Sequence, residues 1–96
     1  MLPRRPVVPT SSESLVALPR SVDLHARPAA EFVKTAMRFE SKVSVAANGR
    51  EADAKSLLAI LALGAKGGTT LRLTADGDDA GAALDALSGC IVELTE

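Results

Sequence analysis

Ser41-Lys42-Val43-Ser44-Val45-Ala46-Ala47-Asn48-Gly49-Arg50-Glu51-Ala52-Asp53 is the stretch that decides the fold. Over Ser41 to Ala46, Val43 and Val45 alternate with Lys42 and Ser44, the period of a strand with one face buried. Asn48-Gly49 supplies a tight hairpin turn, because both central positions of such a turn need positive φ. Arg50 to Asp53 therefore returns antiparallel to the first strand of the pair. A sheet begun this way has one face for a core and one for water.

Toward the N-terminus, Ala29, Phe32, Val33, Ala36 and Met37 recur at helical spacing and predict one continuous apolar face. Glu31, Lys34, Thr35 and Arg38 take the opposite side. Before this helix lies a loop, Pro19 to Leu24, and before that a strand from Ser14 to Leu18, with Val16 and Leu18 pointing one way. Residues 1–13 carry Pro3, Pro6 and Pro9 followed by Thr10, Ser11 and Ser12, without a helical or strand period. They are expected to form a flexible tail, with one domain over residues 14–96.

Toward the C-terminus, Ser56 is placed to cap a short helix, Leu57 to Leu63, that stops at Gly64. Its apolar residues run all the way around, so one side should pack while Leu side chains on the other stay exposed. An exposed apolar patch beside polar residues is a docking signal. Thr69 to Ala75 alternates, with Leu71 and Leu73 on one face. Asp78 and Asp79 are then placed to cap a last helix whose inner stripe is Ala80, Ala83, Leu84, Leu87 and Ile91. The order β-α-β-β-α-β-α predicts an α+β fold, an antiparallel sheet with helices packed on one face.

Composition narrows the possible functions. The 96 residues carry a net charge of -1, without the basic field that nucleic-acid binding requires. Aromatics are 2%, with no Trp and no Tyr, so stacking on bases or sugars is not a working device here. Cys90 is the single cysteine, which excludes an intramolecular disulfide framework and a multi-cysteine metal site. No apolar stretch is long enough to span a bilayer, and Pro6 and Pro9 break up any signal-peptide core. A cytoplasmic protein that needs no cofactor and no metal is expected.

Asp23-Leu24-His25-Ala26-Arg27-Pro28-Ala29-Ala30 carries the chemistry. Pro28 fits the first helical turn, where a missing N–H costs nothing. Counting back from the apolar face puts His25 at or near the N-cap, facing the positive end of the helix dipole and its unpaired N–H groups. Arg27 can add a guanidinium fork that matches phosphate oxygens. A neutral imidazole there keeps a free lone pair, as a phosphoryl acceptor must. The residues alone also allow His25 to be a polar cap and Arg27 a solvated charge. Ser56, likewise, is by itself only a helix cap.

Leu24-His25-Ala26-Arg27-Pro28-Ala29 resembles the active-site motif of HPr, the histidine-containing phosphocarrier family of the bacterial sugar phosphotransferase system. Lys55-Ser56-Leu57-Leu58-Ala59-Ile60-Leu61-Ala62-Leu63-Gly64 is similar to the second signature of that family, and the spacing agrees. The resemblance runs from Ser14 to Glu96. It implies an open-faced sandwich of three helices on a four-stranded antiparallel sheet. It further implies that His25 accepts a phosphoryl group from phosphorylated Enzyme I, with Arg27 stabilising the phosphate. His25 would pass the group to IIA domains of sugar permeases, acting as a stoichiometric carrier rather than an enzyme.

Ser56 would be the target of an HPr kinase/phosphorylase where that enzyme exists. A dianion at this cap suits the helix dipole but would repel acidic partners. Leu57, Leu58, Leu61 and Lys34 are the expected partner-binding residues, and a monomer suffices for a transient carrier.

The chain departs from the family at Asp23, where Gly is usual, and at Val22, where the residue is often polar. A carboxylate there either repels the phosphoryl group mildly or hydrogen-bonds the ring. Two further functions compete with the sugar carrier: a non-transferring regulatory module that binds through the Ser56 helix, and a paralogue serving nitrogen regulation or dihydroxyacetone. Gly64-Ala65-Lys66-Gly67-Gly68-Thr69-Thr70 lacks the Gly-Lys-Ser/Thr ending of a nucleotide-binding loop and leads into a strand, so it is read as structural. Cys90, Asp76, Asp78 and Asp79 are read as core, turn and cap residues.

Overall fold

A computed structural model describes residues 11–95. Along the chain come β1 (Ser11–Ala17), α1 (Ala26–Ala36), β2 (Lys42–Ala47), β3 (Arg50–Asp53), α2 (Leu57–Ala62), β4 (Thr70–Asp76) and α3 (Ala80–Val92). The strands form one sheet in the order β1-β4-β2-β3, and every neighbouring pair is antiparallel. β1 and β2 flank β4 and so run parallel to each other, with α1 crossing between them. β3 and β4 flank β2 in the same way, with α2 crossing. Two split β-α-β units are thus interleaved.

The hairpin forms as its sequence requires. Asn48 has φ 55 and Gly49 has φ 74, the left-handed pair that a primed turn needs. Beyond it, Ala47 pairs with Arg50 and Ser44 with Asp53. The inner face of the sheet is built from Val16, Val43, Val45, Leu71, Leu73 and Ala75, all buried. Val45 stands opposite Leu73, and Val43 opposite Ala75. Onto this layer α1 sets Ala29, Phe32, Val33 and Ala36, and α3 sets Ala80, Ala83, Leu84, Leu87 and Ile91. Those are the helix stripes that periodicity predicts.

Three strands differ from their expected bounds. β1 begins at Ser11 rather than Ser14, because Ser11, Ser12 and Glu13 pair with Asp76, Ala75 and Thr74 of β4. The expected tail is therefore shorter by Ser11 to Glu13, and its first ten positions lie outside the described residues. Strands β2 and β4 each shift one residue toward the C-terminus. Met37, expected on the buried face of α1, is its C-cap and stands 65% exposed.

Asp79 also differs from its expected role. It is the N-cap of α3 by position, but its side chain makes no cap hydrogen bond. Its carboxylate instead accepts from the main-chain N–H of Glu40 at 3.0 Å, the N–H of Ser41 at 2.9 Å, and the Ser41 hydroxyl. Ser41 is the buried polar side chain among the described residues, and a buried hydroxyl without a partner would cost stability.

The Ser41 hydroxyl, and then the Glu40 N–H, hold the Asp79 carboxyl below its ordinary 3.8. A folded-state value below the unfolded one means that the stabilisation is complete above 3.8 and is lost as the pH falls through the lower, folded value. The urea midpoint of the wild type is expected to drop on that acidification, and Asp79→Asn is expected to drop less. Parallel titrations of the two proteins check this.

Candidate functional site

His25 is the N-cap of α1, in extended conformation with φ -141 and ψ 171. Pro28 follows as the third helical residue, buried, where its missing N–H breaks no bond. The ring is exposed, and the side chain makes no cap hydrogen bond. Ala29 N–H returns to the His25 carbonyl at 3.4 Å, while the N–H groups of Ala26 and Arg27 have no acceptor within the helix. The ring thus stands at the positive end of an 11-residue helix, beside donors that can receive an anion.

Ala26 is the residue most constrained by this geometry. Its φ is 46, in the left-handed region that a side chain disfavours. Such conformations cost roughly 1–3 kcal/mol and persist only where the surroundings impose them. The strained residue lies directly between His25 and Arg27.

Nδ1 of His25 lies 3.3 Å from the Asp23 carbonyl oxygen, and His25 N–H donates to the same oxygen at 2.9 Å. A carbonyl oxygen can only accept, so this contact is a hydrogen bond when Nδ1 carries the proton. In that tautomer the lone pair is on Nε2. A transfer to Nδ1 must first break the contact.

Arg27 is placed differently from its expected role at the phosphate. Its Nη2 donates to the Thr95 carbonyl at 3.3 Å, and its Nε lies 3.9 Å from Glu31 Oε1. No hydrogen bond joins it to the His25 ring. Both partners of the Glu31 pair are largely exposed, and ion pairs of that kind hold weakly. Asp23 likewise does not bond the ring through its side chain. Its carboxylate accepts from Gly67 N–H at 2.7 Å instead.

Ser56 is the N-cap of α2, and its Oγ accepts from Ala59 N–H at 3.2 Å. Gly64, at φ 62, ends the helix as expected. The neighbouring Lys55 ammonium donates to the Phe39 carbonyl at 2.6 Å, tying the start of α2 to the chain just after α1. Sequence reasoning missed this tie, because a lysine beside a cap carries no periodic signal.

Leu58 is 80% exposed, and Leu57 and Leu61 are also exposed, while Ile60 and Leu63 are buried. Lys34 lies in the last turn of α1, nine residues from His25 and so roughly 13 Å along the axis. It cannot share a phosphate with His25, but a macromolecule could touch both. Ser56→Ala is expected to lower stability by about 1 kcal/mol, because α2, Leu57–Ala62, has fewer than two helical turns beyond its cap to compensate. The urea midpoint, at unchanged slope, measures it.

Elsewhere the chemistry is quiet. Cys90 is half-buried against the core, and burial pushes its thiol above the ordinary 9.0. Among the described residues, no group of three or more His, Cys, Asp or Glu side chains could hold a metal ion. No helix there is long and apolar enough to cross a membrane.

Residues 13–93 match the family model described as the PTS HPr component phosphorylation site. The phosphocarrier protein HPr of Buchnera aphidicola is 45% identical over 71 residues, covering 74% of this chain and 84% of that protein. HPr of Vibrio cholerae is 38% identical over 82 residues, covering 85% of this chain and 96% of that one. The crystal structure of HPr from Thermoanaerobacter tengcongensis superposes with a TM-score of 0.80 at 38% identity, over 84% of this chain and 91% of its own.

Proposed function

Since the chain belongs to the HPr family of phosphocarriers of the phosphotransferase system, we propose that it carries a phosphoryl group on His25. Phosphorylated Enzyme I is the donor, and IIA domains of sugar permeases are the acceptors. The observation that carries this reading is the exposed His25 ring at the N-terminus of α1, free of any capping duty.

In the accepting step the lone pair of one ring nitrogen forms the N–P bond as the bond from phosphorus to the donor breaks. The second ring nitrogen keeps its proton. The N–H groups of Ala26 and Arg27 and the helix dipole stabilise the oxygens that arrive. Arg27 supplies a further charge by leaving its weak contacts with Glu31 and Thr95. In the donating step the same N–P bond breaks toward the IIA acceptor, so the chain acts as a stoichiometric carrier and not as an enzyme. Leu57, Leu58 and Leu61, with Lys34, form the surface on which these partners dock.

Ser56 is the regulatory position in this reading. Its hydroxyl is half-buried at a helix cap, where a phosphate is tolerated by the dipole. The dianion would then stand next to Leu57 and Leu58 and repel acidic partners without unfolding the helix.

Incubation with Enzyme I and phosphoenolpyruvate, followed by intact mass, tests the carrier role. A gain of one acid-labile phosphoryl group is expected, and it should disappear again on adding a IIA domain. No mass gain in the presence of an Enzyme I that phosphorylates another HPr would refute the proposal.

A further inference from the structure

Residues 18–24, which lead to His25, lie along residues 65–69, which lead into β4. Leu18 N–H donates to the Thr69 carbonyl at 2.9 Å, and Gly68 N–H to the Leu18 carbonyl at 3.0 Å. At the far end Leu24 N–H donates to the Ala65 carbonyl at 2.9 Å. Gly67 sits between these backbone bonds, so close to the other segment that a methyl group on it would overlap the Arg20 carbonyl. Its N–H is met by a side chain, Asp23 Oδ1, at 2.7 Å.

Asp23 therefore has two attachments. Its carboxylate holds the Gly67 loop, while its carbonyl oxygen receives His25 N–H at 2.9 Å and faces Nδ1 of the ring at 3.3 Å. The chain between these attachments is the single residue Asp23, so a force on its side chain is felt at its carbonyl. A bond from N–H to an ionised carboxylate is about twice as strong as one between neutral groups. The carboxylate's negative charge is also directed at an N–H of the loop.

We infer that Asp23 is a positioning residue for the phosphoryl acceptor: by anchoring to Gly67 N–H it fixes its own carbonyl, and through the His25 N–H bond to that carbonyl the place of His25 at the start of α1, whichever ring nitrogen reacts. The inference rests on the carrier function proposed above. A phosphoryl group is transferred in line with one lone pair, and small errors in the placement of reacting groups cost rate rather than binding. The Asp23–Gly67 bond is the part of this attachment that a side-chain substitution can remove.

Asp23→Ala and Asp23→Asn test it, each studied well below its own thermal midpoint. Amide exchange at Gly67 and the His25 ring resonances are followed by NMR on the unphosphorylated proteins. kcat and KM for phosphorylation by Enzyme I are measured beside them. Asp23→Ala should expose the Gly67 amide to exchange, shift the ring resonances and lower kcat roughly tenfold, with KM close to wild type. Asp23→Asn, whose amide oxygen can accept the same N–H, should restore most of both.

A wild-type kcat in Asp23→Ala, with the Gly67 amide deprotected, would overturn the inference while leaving the carrier function intact. Unchanged Gly67 protection in Asp23→Ala would overturn it as well. A wild-type protein that takes up no phosphoryl group overturns the carrier function, and the inference with it.

Discussion

His25→Ala is expected to abolish phosphoryl uptake from Enzyme I while changing folding stability by no more than about 0.5 kcal/mol. An N-cap replaced by alanine ordinarily costs about 1 kcal/mol, because a side-chain oxygen that satisfied a helix N–H is removed. Here no such bond exists, the ring is exposed, and φ -141 with ψ 171 is extended backbone that alanine adopts freely. The substitution removes the approach of Nδ1 to the Asp23 carbonyl at 3.3 Å, in an exposed setting where water can take the place of the ring. Loss of function without loss of fold separates a chemical role from a structural one. Intact mass after incubation with Enzyme I, beside urea unfolding of both proteins, measures the two effects. A phosphoryl group still gained by the variant would place the acceptor elsewhere in the chain.

Phe32→Ala is expected to cost about 3–5 kcal/mol, the largest stability effect of a single truncation in this core. Phe32 is one of the chain's 2 Phe residues and is 0% exposed. It lies in the middle of α1, whose buried neighbours on the same face are Ala29, Val33 and Ala36. Many other core positions are also alanines, among them Ala75 and Ala83. Such short side chains cannot move into the space that a phenyl ring leaves, so most of the cavity should persist. Domains of this size are stable by about 5–15 kcal/mol, so the variant should fold with a much lower urea midpoint at an unchanged slope. A destabilisation under about 1 kcal/mol would show that the layers close over the gap.

Much of this molecule was legible from local pattern. The Asn48-Gly49 turn, the stripes of α1 and α3, and the caps at Ser56 and Gly64 all follow from rules that act over a few residues. His25 at the start of α1 was legible too, because Pro28 fixes the first turn. What was not legible joins segments far apart in the chain. Asp79 reads as a cap but braces Ser41, and Asp23 reads as a neighbour of the ring but holds Gly67. Side-chain bonds of that kind depend on tertiary approach and leave no period in the sequence. The start of β1 was hidden for a related reason: Ser11 to Glu13 are exposed and polar, and their pairing with β4 gives them their strand conformation. Met37 fitted the apolar spacing of α1, but the helix ends before it turns inward.

The sheet order has a consequence for synthesis on the ribosome. β1 is made first, yet its neighbour in the sheet is β4, which spans Thr70–Asp76. β2 and β3 can close as a hairpin when the chain has reached Asp53, but β4 is the strand that lies between that hairpin and β1. The N-terminal strand must therefore wait, unpaired, until the last strand has left the exit tunnel. Translation at about 5–20 residues per second makes that wait several seconds. During it, the Ser and Glu side chains of β1 keep an unpaired strand in water, which offers a reason for their presence at the edge of the sheet.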